Sequence, residues 1–186
     1  MHRDWRPPTL QTTRLIVRPI VQDDVDSIFA YACNPAVTRF TLWDRHRDRN
    51  DSLEFVRDYA FLRYVEKQPD PLAICQKEEP GRVLGTVGCF WNARANRTME
   101  MGYALAEEHW GRGFVVEAAG ALLDHVFAAY EVERVQARCM VENAASTRVM
   151  QKLGMKFEGC LRSSLFHRER FWDMNLYAIL RCEWRR

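Results

Sequence analysis

No apolar stretch in this chain approaches the roughly 20 residues that a membrane-spanning helix requires, and the opening MHRDWRPPTLQ lacks the apolar core of a secretory leader. Charge of one sign is not in excess either. The 27 Lys and Arg stand against 25 Asp and Glu, and a net +2 exerts no strong pull toward nucleic acid or an anionic membrane. The six cysteines (33, 75, 89, 139, 160 and 182) include no C-x-x-C pair and no histidine at ligand spacing, so no metal is expected. Most of them lie in apolar runs and read as small buried hydrophobic residues of a reducing compartment, which makes the cytoplasm the expected location. Repeats, low-complexity tracts and Gly/Ser linkers are missing too. What remains is an ordinary globular composition, 47% hydrophobic and 28% charged, with 186 residues sufficient for one domain over 1–186 whose first ten residues are a loose lead-in.

Periodicity divides the chain into strands and helices. TRLIVRPI (13–20) alternates as an opening strand, and Asp23-Asp24 offer cap chemistry for a helix through Val25, Ile28, Phe29 and Ala32 that ends near Asn34-Pro35. The run Arg45-His46-Arg47-Asp48-Arg49 interleaves base with acid and reads as a solvated loop. Asp51-Ser52 can cap a second helix with the stripe Leu53, Val56, Tyr59-Ala60 and Arg63-Tyr64, closed by Pro69. PLAICQKE (71–78) and VLGTVGCFWN (83–92), joined by Glu79-Pro80-Gly81-Arg82, form a hairpin, and TMEMGYAL (98–105) is a further strand. A long helix follows to Tyr130, lined by Val116, Ala119, Leu123 and Val126-Phe127. A strand (134–141), a short helix (145–154) and two strands complete the order β-α-α-β-β-β-α-β-α-β-β. The fold class is α+β or mixed α/β, a sheet with helices on its faces.

The most informative segment is Thr98 to Ala119, where a strand stops, a Gly-X-Gly follows and the long helix begins. A helix N-terminus offers unpaired N–H groups and about half a positive charge, and Gly111 and Gly113 remove the side chains that would keep a phosphate away. Arg112 adds a cation. A plain tight turn is an equally good account of the G-x-G alone. Two phosphate loops are excluded: no G-x-x-x-x-G-K-[ST] string exists, and the last position of a G-x-G-x-x-G fingerprint is Val116.

Three strings in order, EMGYAL, HWGRGFVVEA and VENAASTRVMQKLGMKFEG, carry a resemblance to the GNAT acetyltransferase superfamily. More narrowly, the chain is similar to the branch of bacterial ribosomal-protein N-terminal acetyltransferases of RimJ and RimL type, from TTRLIVRPI to WDMNLYAILRCEW. The resemblance implies a central, mostly antiparallel sheet of about six to seven strands with helices on both faces, strands 98–105 and 134–141 splayed. It implies acetyl-CoA as co-substrate, its pyrophosphate on the loop Trp110, Gly111, Arg112, Gly113, Phe114, Val115 and Val116, and its pantetheine beside Tyr103, Ala104 and Leu105. Val115 stands where the family usually has Gly or Ala. Asn143 would bond the pantetheine. Arg148 and Lys152, one turn apart, either meet the adenosine phosphates of that cofactor or form an exposed helix face.

For catalysis the resemblance implies an oxyanion contact from the main-chain N–H near Leu105, Ser146 as proton donor to the thiolate with Tyr103 and Tyr177 behind it, and Glu100 as base. Residue chemistry alone supplies blander readings. Asn143-x-x-Ser146 is an N-cap arrangement, Glu117 compensates the helix dipole, Glu107 and Glu108 are solvated, and His109 is a surface or packing residue. Phe40, Trp43 and Trp91 line an acceptor pocket or belong to core and rim. An α-amine near pKa 8 is about a tenth neutral at pH 7 whereas lysine is far less so, and the lack of an unmistakable base favours a protein N-terminus as acceptor. A small amine such as an antibiotic or polyamine is the alternative, and a non-catalytic acyl-CoA-binding protein a third. A homodimer is compatible with all three readings.

Overall fold

The computed structural model describes residues 5–185. Of the expected loose lead-in, residues 1–4 lie outside the described residues, while Leu10–Gln11 form a short strand, β1, antiparallel to β2 (Leu15–Pro19). With β3 (Leu72–Gln76), β4 (Gly85–Ala93), β5 (Thr98–Leu105), β6 (Arg134–Met140), β7 (Lys156–His167) and β8 (Arg170–Leu180) the sheet has, among the described residues, eight strands, in the order β1-β2-β3-β4-β5-β6-β8-β7. The mixed α/β class is as the sequence indicates, and the strand beyond the expected seven is β1. Two compact units share this chain: one runs to Phe90 and adds Gly102–Leu122, the other comprises Trp91–Met101 and the chain from Leu123 onward.

In the first unit β2, β3 and β4 form antiparallel ladders, with Leu72 opposite Val87 and Ile74 opposite Gly85. Helix α1 (Val25–Ala32) buries Val25, Ile28, Tyr31 and Ala32, a spacing that keeps one helical stripe in the core with Ile20, Val56, Ala73 and Cys75. Each buried Val or Ile there contributes about 1.5–3 kcal/mol. The α1 cap departs from expectation. Asp24 makes no side-chain cap bond to the helix; its carboxylate instead takes the Val21 N–H and a bidentate Arg18 pair at 2.7–2.8 Å. After α2 (Pro35–Thr38), the cap of α3 (Arg49–Glu54) is Asp48 and not Asp51-Ser52, because Asp48 Oδ1 accepts from the Asn50 and Asp51 amides. Asp51 is taken by Arg47, and Arg49 pairs with Asp26, so the charged run is held by ion pairs. The expected single helix then changes pitch: Phe55–Ala60 is π-helical before α4 (Phe61–Val65), which displaces Tyr59 from the buried stripe to 38% exposure.

The second unit is built on β6 and β8, antiparallel from Arg134–Leu180 to Met140–Met174, with β7 paired to the far side of β8 through two register shifts. Its portion of α5 (Phe114–Ala129) buries Leu123, Val126 and Phe127. Arg181 closes that helix by donating to the Phe127, Tyr130 and Val132 carbonyls, groups a helix end otherwise leaves unsatisfied. The parallel ladder between β5 and β6 covers Thr98–Arg134, Met99–Val135 and Glu100–Gln136, as a splay beyond those residues requires. Cys75, Cys89 and Cys139 are buried as expected, but Cys160 and Cys182 are exposed, because β7 is an edge strand and 182 follows the last one. Among the described residues no helix is long and apolar enough to cross a membrane.

Candidate active site

The turn into α5 is assembled within the first unit. Gly111 (φ +74°) and Gly113 (φ +78°) both occupy the left-handed region, so glycine is a backbone requirement at both positions. The first helical bond closes from Glu117 N–H to the Gly113 carbonyl at 3.0 Å. The amides of Phe114, Val115 and Val116 therefore look out of the helix end and take their partners from outside it. Trp110 fastens the loop to the preceding strand, its indole N–H donating to the Leu105 carbonyl at 2.8 Å. Ala106 N–H bonds the Leu84 carbonyl at 2.7 Å and fixes the end of β5 against the start of β4.

Two arginines flank this helix mouth. Arg112 and Arg14 each place their guanidinium carbon 4.7 Å from the centre of the Phe114 ring. Arg14 also donates to the Arg112 carbonyl at 3.1 Å. The sequence reading missed Arg14 and Thr12, which lie about a hundred residues upstream. Their anchor is Glu117: its carboxylate accepts from the Thr12 hydroxyl at 2.6 Å, the Arg14 amide at 2.8 Å and the Arg14 guanidinium at 2.6–2.7 Å. Partial burial pushes the Glu117 carboxyl up, but these bonds outweigh it and the net displacement is downward. Glu117 thus ties the β1–β2 turn to the helix mouth, a more specific part than dipole compensation.

His109 is a packing residue with a partner. It is 7% exposed, its ring lies 6.0 Å from that of Phe114, and its Nδ1 is 3.1 Å from Arg112 Nη1. A guanidinium only donates, so Nδ1 must be the acceptor and the ring proton sits on Nε2. Burial holds its pKa below the ordinary histidine value. Glu107 accepts from the Asn34 amide at 2.8 Å and Glu108 faces Arg82 at 3.5 Å, both exposed, as solvated loop charges would be.

The second unit holds the other candidates. Asn143 caps α6 (Ala144–Lys152), its Oδ1 accepting the Ser146 N–H at 3.0 Å, so the N-cap arrangement is present. Ser146 is partly buried in the first turn, next to Thr147, whose hydroxyl is 3.6 Å from the buried Cys139 sulfur. Arg148 and Lys152 are exposed on the same helix. Tyr177 is 6% exposed with its ring 5.3 Å from that of Phe157. Glu100 is 6% exposed and engaged on both oxygens: Oε1 by Arg138 Nε and Nη2 at 3.0 Å, Oε2 by Asn92 at 3.1 Å and Gln136 at 2.9 Å. Taking up a proton there means giving up one of these bonds, which weakens its case as a base. Of the aromatic candidates, Trp43 packs on His46 in the first unit and Trp91 on Tyr130 in the second.

An acetyltransferase (GNAT) domain model matches residues 14–156. The chain belongs to the GNAT acetyltransferases. This acetyltransferase is 31% identical over 174 residues to the uncharacterized N-acetyltransferase YoaA of Bacillus subtilis (strain 168), covering 94% of its own length and 97% of that protein. It is 39% identical over 83 residues to the ribosomal-protein-serine acetyltransferase of Escherichia coli (strain K12), spanning 45% of the one and 46% of the other. Its fold is that of RimL, a ribosomal L7/L12 alpha-N-protein acetyltransferase solved with coenzyme A, at a TM-score of 0.82 and 20% identity over 93% and 98% of the two chains.

Proposed function

We propose that this acetyltransferase uses acetyl-CoA to acetylate a protein N-terminal α-amine by direct transfer, without an acyl-enzyme. The observation that carries the donor is the helix mouth of the first unit: two left-handed glycines and three outward amides, with Arg112 and the Glu117-paired Arg14 both against the Phe114 ring, form a cradle for a pyrophosphate. Trp110 to Val116 would hold that group, with the pantetheine beside Tyr103, Ala104 and Leu105. Coenzyme A in the RimL structure supports the same ligand.

The transfer needs an oxyanion contact, for which the Leu105 main chain is the candidate, and a proton for the departing thiolate, for which it is Ser146. In the second unit Asn143 and Lys152 are proposed to contact the pantetheine and the adenosine phosphates. The Asn143 cap and the Ser146 role are compatible: the cap bond uses the Ser146 amide, and the hydroxyl is a separate donor. An N-terminal acceptor is supported by the ribosomal-protein-serine relative and by the low pKa of α-amines.

The test is thiol release from acetyl-CoA with the peptide Ser-Ala-Ala-Ala, lysine amide, spermidine and kanamycin as acceptors. The proposal expects the peptide to give the highest kcat/KM. A higher value for spermidine or kanamycin assigns a small-molecule acceptor instead.

A further inference from the structure

The two arginines at the mouth of α5 are held in different ways. Arg14 shares its charge with Glu117 at 2.6 Å. Among the described residues no carboxylate pairs with Arg112; its guanidinium rests against the Phe114 ring at 4.7 Å and donates to His109 Nδ1 at 3.1 Å. A glutamate at 109 would grip the guanidinium harder and cancel its charge. A neutral imidazole holds it and leaves the full charge for a ligand.

In every other respect the imidazole fits its place poorly. It is 7% exposed, and its second nitrogen, Nε2, is buried with no hydrogen-bond partner among the described residues. Glu108 Oε1 stands 3.9 Å from it, beyond hydrogen-bond reach. An unpaired buried N–H is costly, and a phenyl ring would pack on Phe114 without that cost, so what the histidine supplies here is Nδ1. The backbone makes the contact a fixed one. His109 N–H donates to the Ala106 carbonyl and Trp110 N–H to the Glu107 carbonyl, both at 3.0 Å, which closes the tight turn Glu107–His109 behind β5.

We propose that His109 is a positioning residue for acetyl-CoA: with its proton on Nε2 it holds Arg112 ready for the pyrophosphate, and a proton gained at Nδ1 releases Arg112. The inference rests on the acetyl-CoA reading of this loop. A protonated ring donates from both nitrogens and cannot accept from a guanidinium, and two cations would then stand 3.1 Å apart. Arg112 leaves, and the pyrophosphate loses a preformed partner. The charged groups facing the ring are Glu108 on its own turn, Arg112 in the loop and Arg82 from the β3–β4 connection, with the Arg14–Glu117 pair beyond Phe114. Burial favours the neutral ring, Glu108 opposes it, and Arg112 and Arg82 add to burial. The holding form is therefore present at neutral pH, and affinity falls as pH drops through the depressed His109 value.

Wild type, His109→Asn, His109→Phe, Arg112→Ala and the double variant His109→Phe/Arg112→Ala are titrated with acetyl-CoA and with S-acetylpantetheine, which lacks the pyrophosphate. The range runs from about pH 7.5 down to about pH 4.5, with the His109 ring followed by NMR of its nitrogens. At the upper end His109→Asn, whose Oδ1 can stand where Nδ1 stands, should keep acetyl-CoA affinity within about twofold, while His109→Phe loses about three- to tenfold. On the Arg112→Ala background the phenyl change should cost less than about twofold, and no variant should alter S-acetylpantetheine binding by more than that. As the ring takes its proton, wild type should weaken about three- to tenfold relative to His109→Asn. His109→Asn as weak as His109→Phe overturns the role. So does a phenyl effect that persists without Arg112, or a ring that gains its proton, or keeps its neutral form throughout, with no change in the ratio. If His109→Phe does not fold, His109→Asn and the wild-type titration decide. Wild type that binds acetyl-CoA no more tightly than S-acetylpantetheine overturns the pyrophosphate reading itself, which the other outcomes leave standing.

Discussion

Replacing Glu100 separates a catalytic from a structural carboxylate. Its side chain is 8% exposed and receives four donor contacts, two from an Arg138 side chain that is 33% exposed. Removing one member of a buried ion pair costs about 3–5 kcal/mol, and the partial exposure of Arg138 discounts this to about 2–3 kcal/mol for Glu100→Ala. In a chain of 186 residues that is a fall in Tm of about 4–12 °C. Glu100→Gln should cost roughly half as much, since the Asn92 and Gln136 amides can turn their oxygens toward the new NH2 and only the charge is lost. The assay pairs thermal unfolding with single-turnover acetyl transfer by the folded fraction. The expected result is a marked drop in Tm with less than a tenfold change in rate for Glu100→Gln. A rate loss of a hundredfold or more with Tm unchanged would refute this reasoning and restore Glu100 as the base.

Three further outcomes are expected. Glu117→Gln loses its ion pair with Arg14, an interaction worth about 1 kcal/mol once the 47% exposure of Arg14 is allowed for, and Tm at pH 7 falls by about 2–4 °C. Because the folded carboxyl is held below its ordinary value, that contribution is present above the usual glutamate range and is lost as pH falls through the depressed folded value; the Tm gap between variant and wild type should close below about pH 4.5. His109→Phe removes the acceptor that fixes Arg112 and should weaken acetyl-CoA binding about three- to tenfold with kcat at saturation unchanged, measured by titration and steady-state kinetics. Asp48→Ala, which removes the α3 cap, should lower Tm by about 2–4 °C for a loss of about 1 kcal/mol, read by thermal unfolding.

Period and turn chemistry made most of the fold legible. The hairpin of β3 and β4, α5 and α6 lie where alternation and helical spacing place them, because each buries one continuous apolar face. Local competition moved the caps. Asp24 and Asp51 are good cap residues drawn off by arginines, one of them four residues away in sequence, and no propensity rule foresees that choice. The π-turn at Phe55–Ala60 could not be read from the spacing, since Val56 and Ala60 are buried as a regular helix would bury them and only Tyr59 leaves the stripe. At the site, Gly111, Gly113 and the Asn143 cap were visible as local motifs. Arg14 and Thr12 were not, because only tertiary contact brings them to Glu117, about a hundred residues later.

The central claim, that the turn into α5 grips the pyrophosphate of acetyl-CoA, is tested most directly by titrating wild type and Gly113→Val with acetyl-CoA and with S-acetylpantetheine, which has the thioester and lacks the pyrophosphate. Gly113 is left-handed, and a β-branched residue there is strained. Wild type should bind acetyl-CoA at least tenfold more tightly than S-acetylpantetheine, and Gly113→Val should lose most of that preference while binding S-acetylpantetheine as before. A preference that survives in Gly113→Val contradicts the account.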